Sequence, residues 1–487
     1  MTGRALRFLL LAGACVTATP AAADTLKEAL TKSYYDNPTI EAARANQRAT
    51  DENVVIERAD ALPSASATAT ATEFLYDSDS GPGPARQLTS QASLSMPIYS
   101  GGATRNSIRA AQTRVLAGRA DLRGTESDLF TAVVATYMDV IRGEALVGLS
   151  ANNVEVLEVN LPATSDRFEI GDLTRTDVAQ SEARLALARG DLESAEATLI
   201  AAREDYIALV GDAPDDLQPP PPLPGLPADA ESAVDLALDN NPELIAAHER
   251  ARAAGYDIEV AGASRLPQVS VFVGGNYNDY LGSIPGALAP VLSNSTSSAT
   301  AGVRATIPIY QGGRPAAFER QAQARASAAL EQVVAAERNV IADVRSAFSS
   351  WRAANAIIAS SQTAVEAAAL SLEGVRAENT VGNRTILDIL DAQQELLRAQ
   401  VQLVTARRNA YVAGFSLLAA MGRAEARDLG LGDEGPLYDP AENYERVRGI
   451  IWDWASDPDP VTQSTRTVDI PAPDAEIPPE QRIGPEL

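Results

Sequence analysis

The sequence predicts a mixed α and β protein with an internal two-fold repeat, and a membrane protein if its strands are the bilayer-crossing kind. Three observations carry that expectation. The chain is written twice, each copy holds two segments of polar–apolar alternation, and each copy holds a helical stretch longer than a globular domain uses. Composition narrows the field further. The 487 residues include 65 acidic and 40 basic side chains, a formal net charge of −25. A nucleic-acid binder needs a basic face to displace counterions, so that class is excluded. One Cys (Cys15) and one His (His248) exclude a disulfide scaffold, a zinc finger and an iron–sulfur centre. The chain carries no nucleophile motif, phosphate loop or metal-ligand set, so no catalytic residue, metal site or cofactor is assigned and an enzyme is not expected. His248, between Ala247 and Glu249, reads as a surface or packing residue. Apolar residues make up 45% of the chain but aromatics only 5%, a composition of small residues that suits close-packed helices. Past the N-terminus no apolar run reaches the roughly 18 residues of a membrane helix. A chain of this kind that crosses a bilayer must do so with strands.

Residues 1–23 read as an export signal: Arg4 and Arg7 flank the apolar run Phe8 to Val16, and Ala21-Ala22-Ala23 offers a cleavage site before Asp24. The competing reading is lipidation at Cys15. Ala12-Gly13-Ala14-Cys15 has Ala rather than Leu three residues before the Cys, so cleavage before Asp24 is the expectation.

The repeat then sets the order of elements. Asn37-Pro38 recurs as Asn241-Pro242 and Leu62-Pro63 as Leu266-Pro267, each 204 residues on. Pro97-Ile98-Tyr99-Ser100-Gly101-Gly102 recurs as Pro308-Ile309-Tyr310-Gln311-Gly312-Gly313, now 211 residues on. Gly171 and Gly382, and Asp177 and Asp388, keep the 211 spacing. The change of offset is a loop insertion, which costs little. The organisation is a signal over 1–23, a first repeat over 24–211, a Pro-rich extended linker over 212–230, a second repeat over 231–430, and a C-terminal segment over 431–487. After Trp454 this last segment turns Pro- and Asp-rich without periodicity, the composition of a disordered tail.

Each repeat opens with a helix (27–60; 231–264) and continues with two strands. In the first strand Ala65, Ala67, Ala69 and Ala71 oppose Ser66, Thr68, Thr70 and Thr72. In the second Leu88, Ser90, Ala92, Leu94, Met96 and Ile98 oppose Thr89, Gln91, Ser93 and Ser95. In the third Val269, Val271 and Val273 oppose Ser270, Phe272 and Gly274; in the fourth Ala299, Ala301, Val303, Ala305 and Ile307 oppose Thr300, Gly302, Arg304 and Thr306. About ten residues is the length of a tilted strand crossing a bilayer, with small polar residues toward a wet interior. By alternation alone a half-buried soluble sheet fits equally well. Under the membrane reading four strands cannot close a barrel, because the smallest known use about eight. Three chains of four strands would close one twelve-stranded barrel.

A long helix (107–169; 316–379) follows, roughly 95 Å in the first copy, with a kink expected at Pro162. A Gly turn leads to a shorter helix (177–210; 386–421). The two short helices of each copy match the long one in length, so they are expected to stack end to end beside it. Leu390, Leu397, Val401, Val404, Tyr411, Phe415 and Leu418, and Val340, Val344, Phe348 and Trp351, form apolar stripes that read as helix packing.

The candidate functional constellation is the second turn, where Arg384, Asp388, Asp391 and Glu395 share a helix face. A charged face is usually just solvated. In a trimer the same face would set rings of Asp388 and Asp391 in a pore, and carboxylate rings bind cations. Gly171 and Gly382 give the two tip turns their backbone freedom.

Asn-Pro after an opening helix, the two Pro-Ile-Tyr-x-Gly-Gly corners, and Val381 to Ala392 (Val-Gly-Asn-Arg-Thr-Ile-Leu-Asp-Ile-Leu-Asp-Ala) resemble the TolC-type outer-membrane efflux and secretion channels over about residues 24–430. The resemblance implies a homotrimer in the outer-membrane lipid, sharing a twelve-stranded barrel continued by a twelve-helix periplasmic tunnel. The linker and C-terminal stretch would form part of an equatorial belt. It implies a passive exit duct of a tripartite efflux pump or type I secretion system, opened when a periplasmic adaptor and an inner-membrane RND pump or ABC transporter dock. By position, Asp388 and Asp391 would form the pore constriction, and Arg384 with Thr176 and Asp177 the tip latch. The family often has a Tyr three residues before the turn glycine; Asn379 stands there, so that hydrogen bond is expected to be missing or rebuilt. Pro97, Gly101, Gly102, Pro308, Gly312 and Gly313 would turn the chain from barrel to helix. The alternative is a periplasmic coiled-coil adaptor or structural protein, which shares long hairpins but lacks the doubled strand and long-helix order.

Overall fold

The computed structural model describes residues 24–75, 84–284, 290–291, 293–433 and 435–477. The expected export signal over 1–23 with Cys15, much of the loop over 76–86, part of the loop over 280–297 and residues 478–487 lie outside the described residues.

Each opening helix is two helices: α1 (Leu26–Asp36) and α2 (Pro38–Ala59) in the first copy, α5 (Ala230–Asn240) and α6 (Pro242–Ala263) in the second. The single helix expected over each stretch is corrected by the Asn-Pro motif. A residue before proline is pushed to extended backbone, and Asn37 and Asn241 have ψ of 127° and 123°. Their Oδ1 atoms accept from Thr39 N at 2.8 Å and Glu243 N at 3.0 Å, and Pro38 and Pro242 fill the first helical position.

Strands β1 (Ser64–Glu73), β2 (Arg86–Tyr99), β3 (Gln268–Asp279) and β4 (Ser295–Thr306) form one antiparallel sheet in sequence order. The register unites the expected faces. One row runs Ala65, Leu94, Val273, Ala301; the next runs Ser66, Ser93, Gly274, Thr300. The apolar face is bare in the single chain: Val273 is 54% and Val303 68% exposed. Phe272 falls on the polar face. It lies across Gly302, where a Cβ would sit 3.1 Å from the ring, and under the Arg304 guanidinium at 5.1 Å.

At the corners Gly101 and Gly102 (φ 66° and 86°) and Gly312 and Gly313 (φ 61° and 81°) all have left-handed backbone. Pro97 lies at an irregularity in the β2–β3 pairing, and Pro308 follows the end of β4. The corners feed the long helices α3 (Ala103–Glu169) and α7 (Arg314–Thr380), each 67 residues, or about 100 Å. Pro162 lies inside α3 without ending it.

The shorter helices α4 (Arg175–Val210) and α8 (Ile386–Ala420) run back along α3 and α7. The end-to-end stack is joined by the same asparagines. Asn37 Nδ2 donates to Leu209 O at 2.8 Å, and Asn241 Nδ2 to Ala420 O at 2.9 Å.

Around these junctions lies the main core, with Tyr34, Ile40, Phe130, Tyr137, Leu199, Tyr206, Phe415 and Leu417 buried together. Val340, Val344 and Phe348 are buried as expected. In the α8 stripe Leu390, Phe415 and Leu418 are buried, while Leu397, Val401 and Val404 stay half-buried. The linker is extended but anchored: Leu217 is buried, and Gln218 O lies 2.7 Å from Tyr137 Oη.

In the C-terminal segment Glu442–Val447 forms helix α9 against α2, ahead of the stretch expected as a tail. Beyond Trp454 that stretch has anchors where a disordered tail is expected: Ile477 is buried in the main core. Arg203 Nη1 donates to Asp474 O at 2.7 Å. A few anchors hold this chain, which is why its lack of periodicity misleads.

Candidate functional site

The helical end opposite the sheet is built by two turns, α3 to α4 and α7 to α8. Both close with the same backbone device. Gly171 N donates to Phe168 O and Asp172 N to Arg167 O, each at 2.9 Å; Gly382 N donates to Asn379 O and Asn383 N to Glu378 O, each at 3.0 Å. This is the Schellman closure, and Gly171 and Gly382 meet its left-handed requirement with φ 85° and 82°.

Both turns then open the next helix with a capping box. Asp177 Oδ2 accepts from Thr174 N at 2.9 Å and Thr174 Oγ1 at 2.7 Å, and Asp177 N donates back to Thr174 Oγ1. Asp388 Oδ2 accepts from Thr385 N and Oγ1, both at 2.8 Å. The bonds favour the charged carboxylates. Thr174, its hydroxyl first, holds Asp177 below the usual carboxylate range, and the Thr385 N–H and hydroxyl do the same for Asp388.

The charge pairs differ between the turns. In the first, Arg167 Nη2 meets Asp172 Oδ2 at 2.7 Å. In the second, Arg384 Nε donates to Glu378 Oε2 at 2.7 Å, which raises the Arg384 pKa, and its Nη1 lies 3.8 Å from Asp388 Oδ1. Asn379 Nδ2 donates to Arg384 O at 2.7 Å, so its amide rebuilds a bond within the turn.

Of the expected latch, Arg384 and Asn379 come together, and Asp388 joins them. Within the single chain, no hydrogen bond or ion pair among the described residues links Arg384 to Thr176 or Asp177. Asp177 is engaged by its own helix start, and Thr176 is exposed.

Near the tip the hairpins are linked through Asp391, whose Oδ1 accepts from Arg184 Nη2 of α4 at 2.6 Å; farther along, Arg408 of α8 pairs with Asp139 of α3 at 2.7 Å. Asp391 is 67% exposed at its side chain. Beneath the pair Val154, Leu157, Leu185, Ala188 and Leu390 form a small core joining α3, α4 and α8.

Sequence reasoning missed Arg184 and Glu378. Arg184 lies on a remote helix, and no local spacing marks it. The capping role of Asp177 and Asp388 was legible in Thr-x-x-Asp, but the charged-face pattern drew the reading instead.

Comparison with known proteins covers both copies. The sequence model of the outer membrane efflux protein family matches residues 30–212 and 233–423. The outer membrane efflux protein BepC of Brucella suis biovar 1 (strain 1330) is 33% identical over 440 residues, 90% of this chain and 94% of the relative. The outer membrane protein TolC of Escherichia coli (strain K12) is 26% identical over 84% of each chain. The solved CmeC outer membrane channel of Campylobacter jejuni superposes with a TM-score of 0.73 at 14% identity, over 87% of this chain and 89% of that one, and so shares its fold. The chain belongs to the outer membrane efflux protein family, and the adaptor alternative is set aside.

Proposed function

We propose that three copies of this outer membrane efflux protein pool their strands into one closed twelve-stranded barrel and their helices into a twelve-helix tunnel. The assembly is a passive exit duct that opens when a periplasmic adaptor, joined to an inner-membrane RND pump or ABC transporter, docks at the tip. The observation that carries the reading is the four-stranded sheet with two unpaired edges, β1 and β4, and a bare apolar face. Open edges are not tolerated in lipid, so the sheet needs partners to close. The duct performs no chemistry; its cargo is moved by the partner's energy, in efflux or in type I secretion.

The tip is the gate. Asp388 and Asp391 of three chains would ring the constriction, and Arg384, Asn379, Thr176 and Asp177 would make the latch. The Arg184–Asp391 pair is the contact that supports a lock between hairpins. An exposed ion pair is worth roughly 0–1 kcal/mol, so docking contacts of similar size are enough to open it. Conductance of the purified protein in planar bilayers tests the duct. Discrete pores, blocked by multivalent cations and freed from block by Asp388→Ala with Asp391→Ala, support it. Absence of any pore contradicts the duct, and block that survives the double change contradicts the ring.

A further inference from the structure

The structure places an exposed tryptophan loop at the level where helices give way to strands. Helix α9 fixes its height. Asn443 Nδ2 donates to Asp51 Oδ2 at 2.9 Å, and the carbonyl of Arg448 accepts from the Arg58 guanidinium. From Asp51 to Arg58 is about 10 Å along α2, in the direction of the sheet. Helix α2 ends at Ala59 and β1 begins at Ser64. The chain beyond Val447 therefore emerges beside the base of the sheet.

The loop is held there. Ile450 N donates to Val447 O at 2.9 Å and Ala455 N to Trp452 O at 3.0 Å. Asp457 returns to α9, where both its carboxylate oxygens accept from Arg446 at 2.9 Å. Between these ties Ile451, Trp452 and Trp454 are 71%, 70% and 85% exposed. The chain has only three tryptophans, and the third, Trp351, packs 5.9 Å from Phe348 among the helices. Two of the three are thus spent on one loop facing away from the protein.

We propose that this loop seats in the headgroup region of the phospholipid leaflet on the helical side of the barrel, as an aromatic anchor at the foot of each protomer. Indole rings favour the boundary between headgroups and acyl chains, where the apolar ring and the N–H are both satisfied. Asp453, exposed between the two tryptophans, limits the depth, because a carboxylate is excluded from the hydrocarbon. The foot of the sheet carries further bare apolar side chains, Ile98, Ile309 and Tyr310, which are 59%, 96% and 88% exposed. The inference uses the outer-membrane location of the family and is independent of the gate.

Tryptophan emission of the full-length protein in phospholipid bilayers tests it, with lipids brominated near the headgroup end of the acyl chain as quencher. Trp351 lies 37 residues down α7 from Arg314, about 55 Å from the sheet, and serves as an unquenched reference. Bromolipid is expected to quench the emission of Trp452 and Trp454, and the Trp452→Ser, Trp454→Ser variant is expected to lose that quenching entirely. Both residues are exposed, so the variant should fold and conduct as the parent does. Emission untouched by bromolipid but freely quenched by aqueous acrylamide would put the loop in water and overturn the proposal. Protection from both quenchers would mean that a second copy covers the loop, and would overturn it equally.

Discussion

The helix junctions around Asn37 and Asn241, here called the equator, and the tip use the same repeat in different ways. At the equator both copies do one thing: Asn37 and Asn241 cap a helix with one side-chain atom and tie the end of the returning helix with another. Both lie in a buried setting of large side chains. At the tip the copies share only their backbone closures and capping boxes. The charges diverge. Arg167 occupies in the first turn the place Glu378 holds in the second, and Arg184 and Asp391 have Glu395 and Gln180 at the corresponding positions. A buried, doubled joint suits a part that must not move. An exposed, unsymmetrical set of ion pairs suits a part that does.

Substitutions at the equator sharpen this contrast most. Gly422 has φ 69°, and a Cβ there would lie 2.4 Å from Asn240 O. Gly422→Ala is expected to lower the stability of the folded chain by more than about 3 kcal/mol, with a clear fall in Tm. Asn241→Ala removes a helix cap and a buried amide bond at once, and about 2 kcal/mol is expected by the same measurement.

The equator also carries a pH response opposite in sign to that of the lowered carboxylates at the tip. Burial pushes the Glu126 carboxyl up to about 7 from 4.5, against the opposing bond it accepts from Ala426 N. A carboxyl raised on folding binds its proton more tightly in the folded state. Its contribution is therefore full below about pH 4.5 and is lost as pH rises to about 7, on the order of 3 kcal/mol. The Tm of the parent should fall across that window, and Glu126→Gln should flatten the fall. An equal slope in both proteins would break this part of the comparison.

The smallest stability effect is expected at the tip. Arg184→Ala should lower stability by no more than the roughly 0–1 kcal/mol of an exposed pair, with a small Tm change, yet change conductance. A large drop in Tm would mean that the tip is a structural joint like the equator.

The same contrast explains what the sequence made legible. The doubled order, the corners at Gly101-Gly102 and Gly312-Gly313, and the faces of the strands follow from local spacing, and the register confirms the faces. The break at Asn37-Pro38 was written in the residues too, as a helix-cap asparagine before a proline that forces it into extended backbone. Arg184 and Asp391 are 207 residues apart and meet only because α4 and α8 both pack on α3. The docking of Ile477 was hidden for a related reason: single anchors in an extended chain leave no period to read.

Planar-bilayer conductance of the parent beside the Arg184→Ala, Arg384→Ala variant tests the central claim most directly. A narrow resting pore in the parent and a wider one in the variant, at nearly unchanged Tm, is the predicted result. Equal conductance in the two proteins would contradict a gate held by the tip charges.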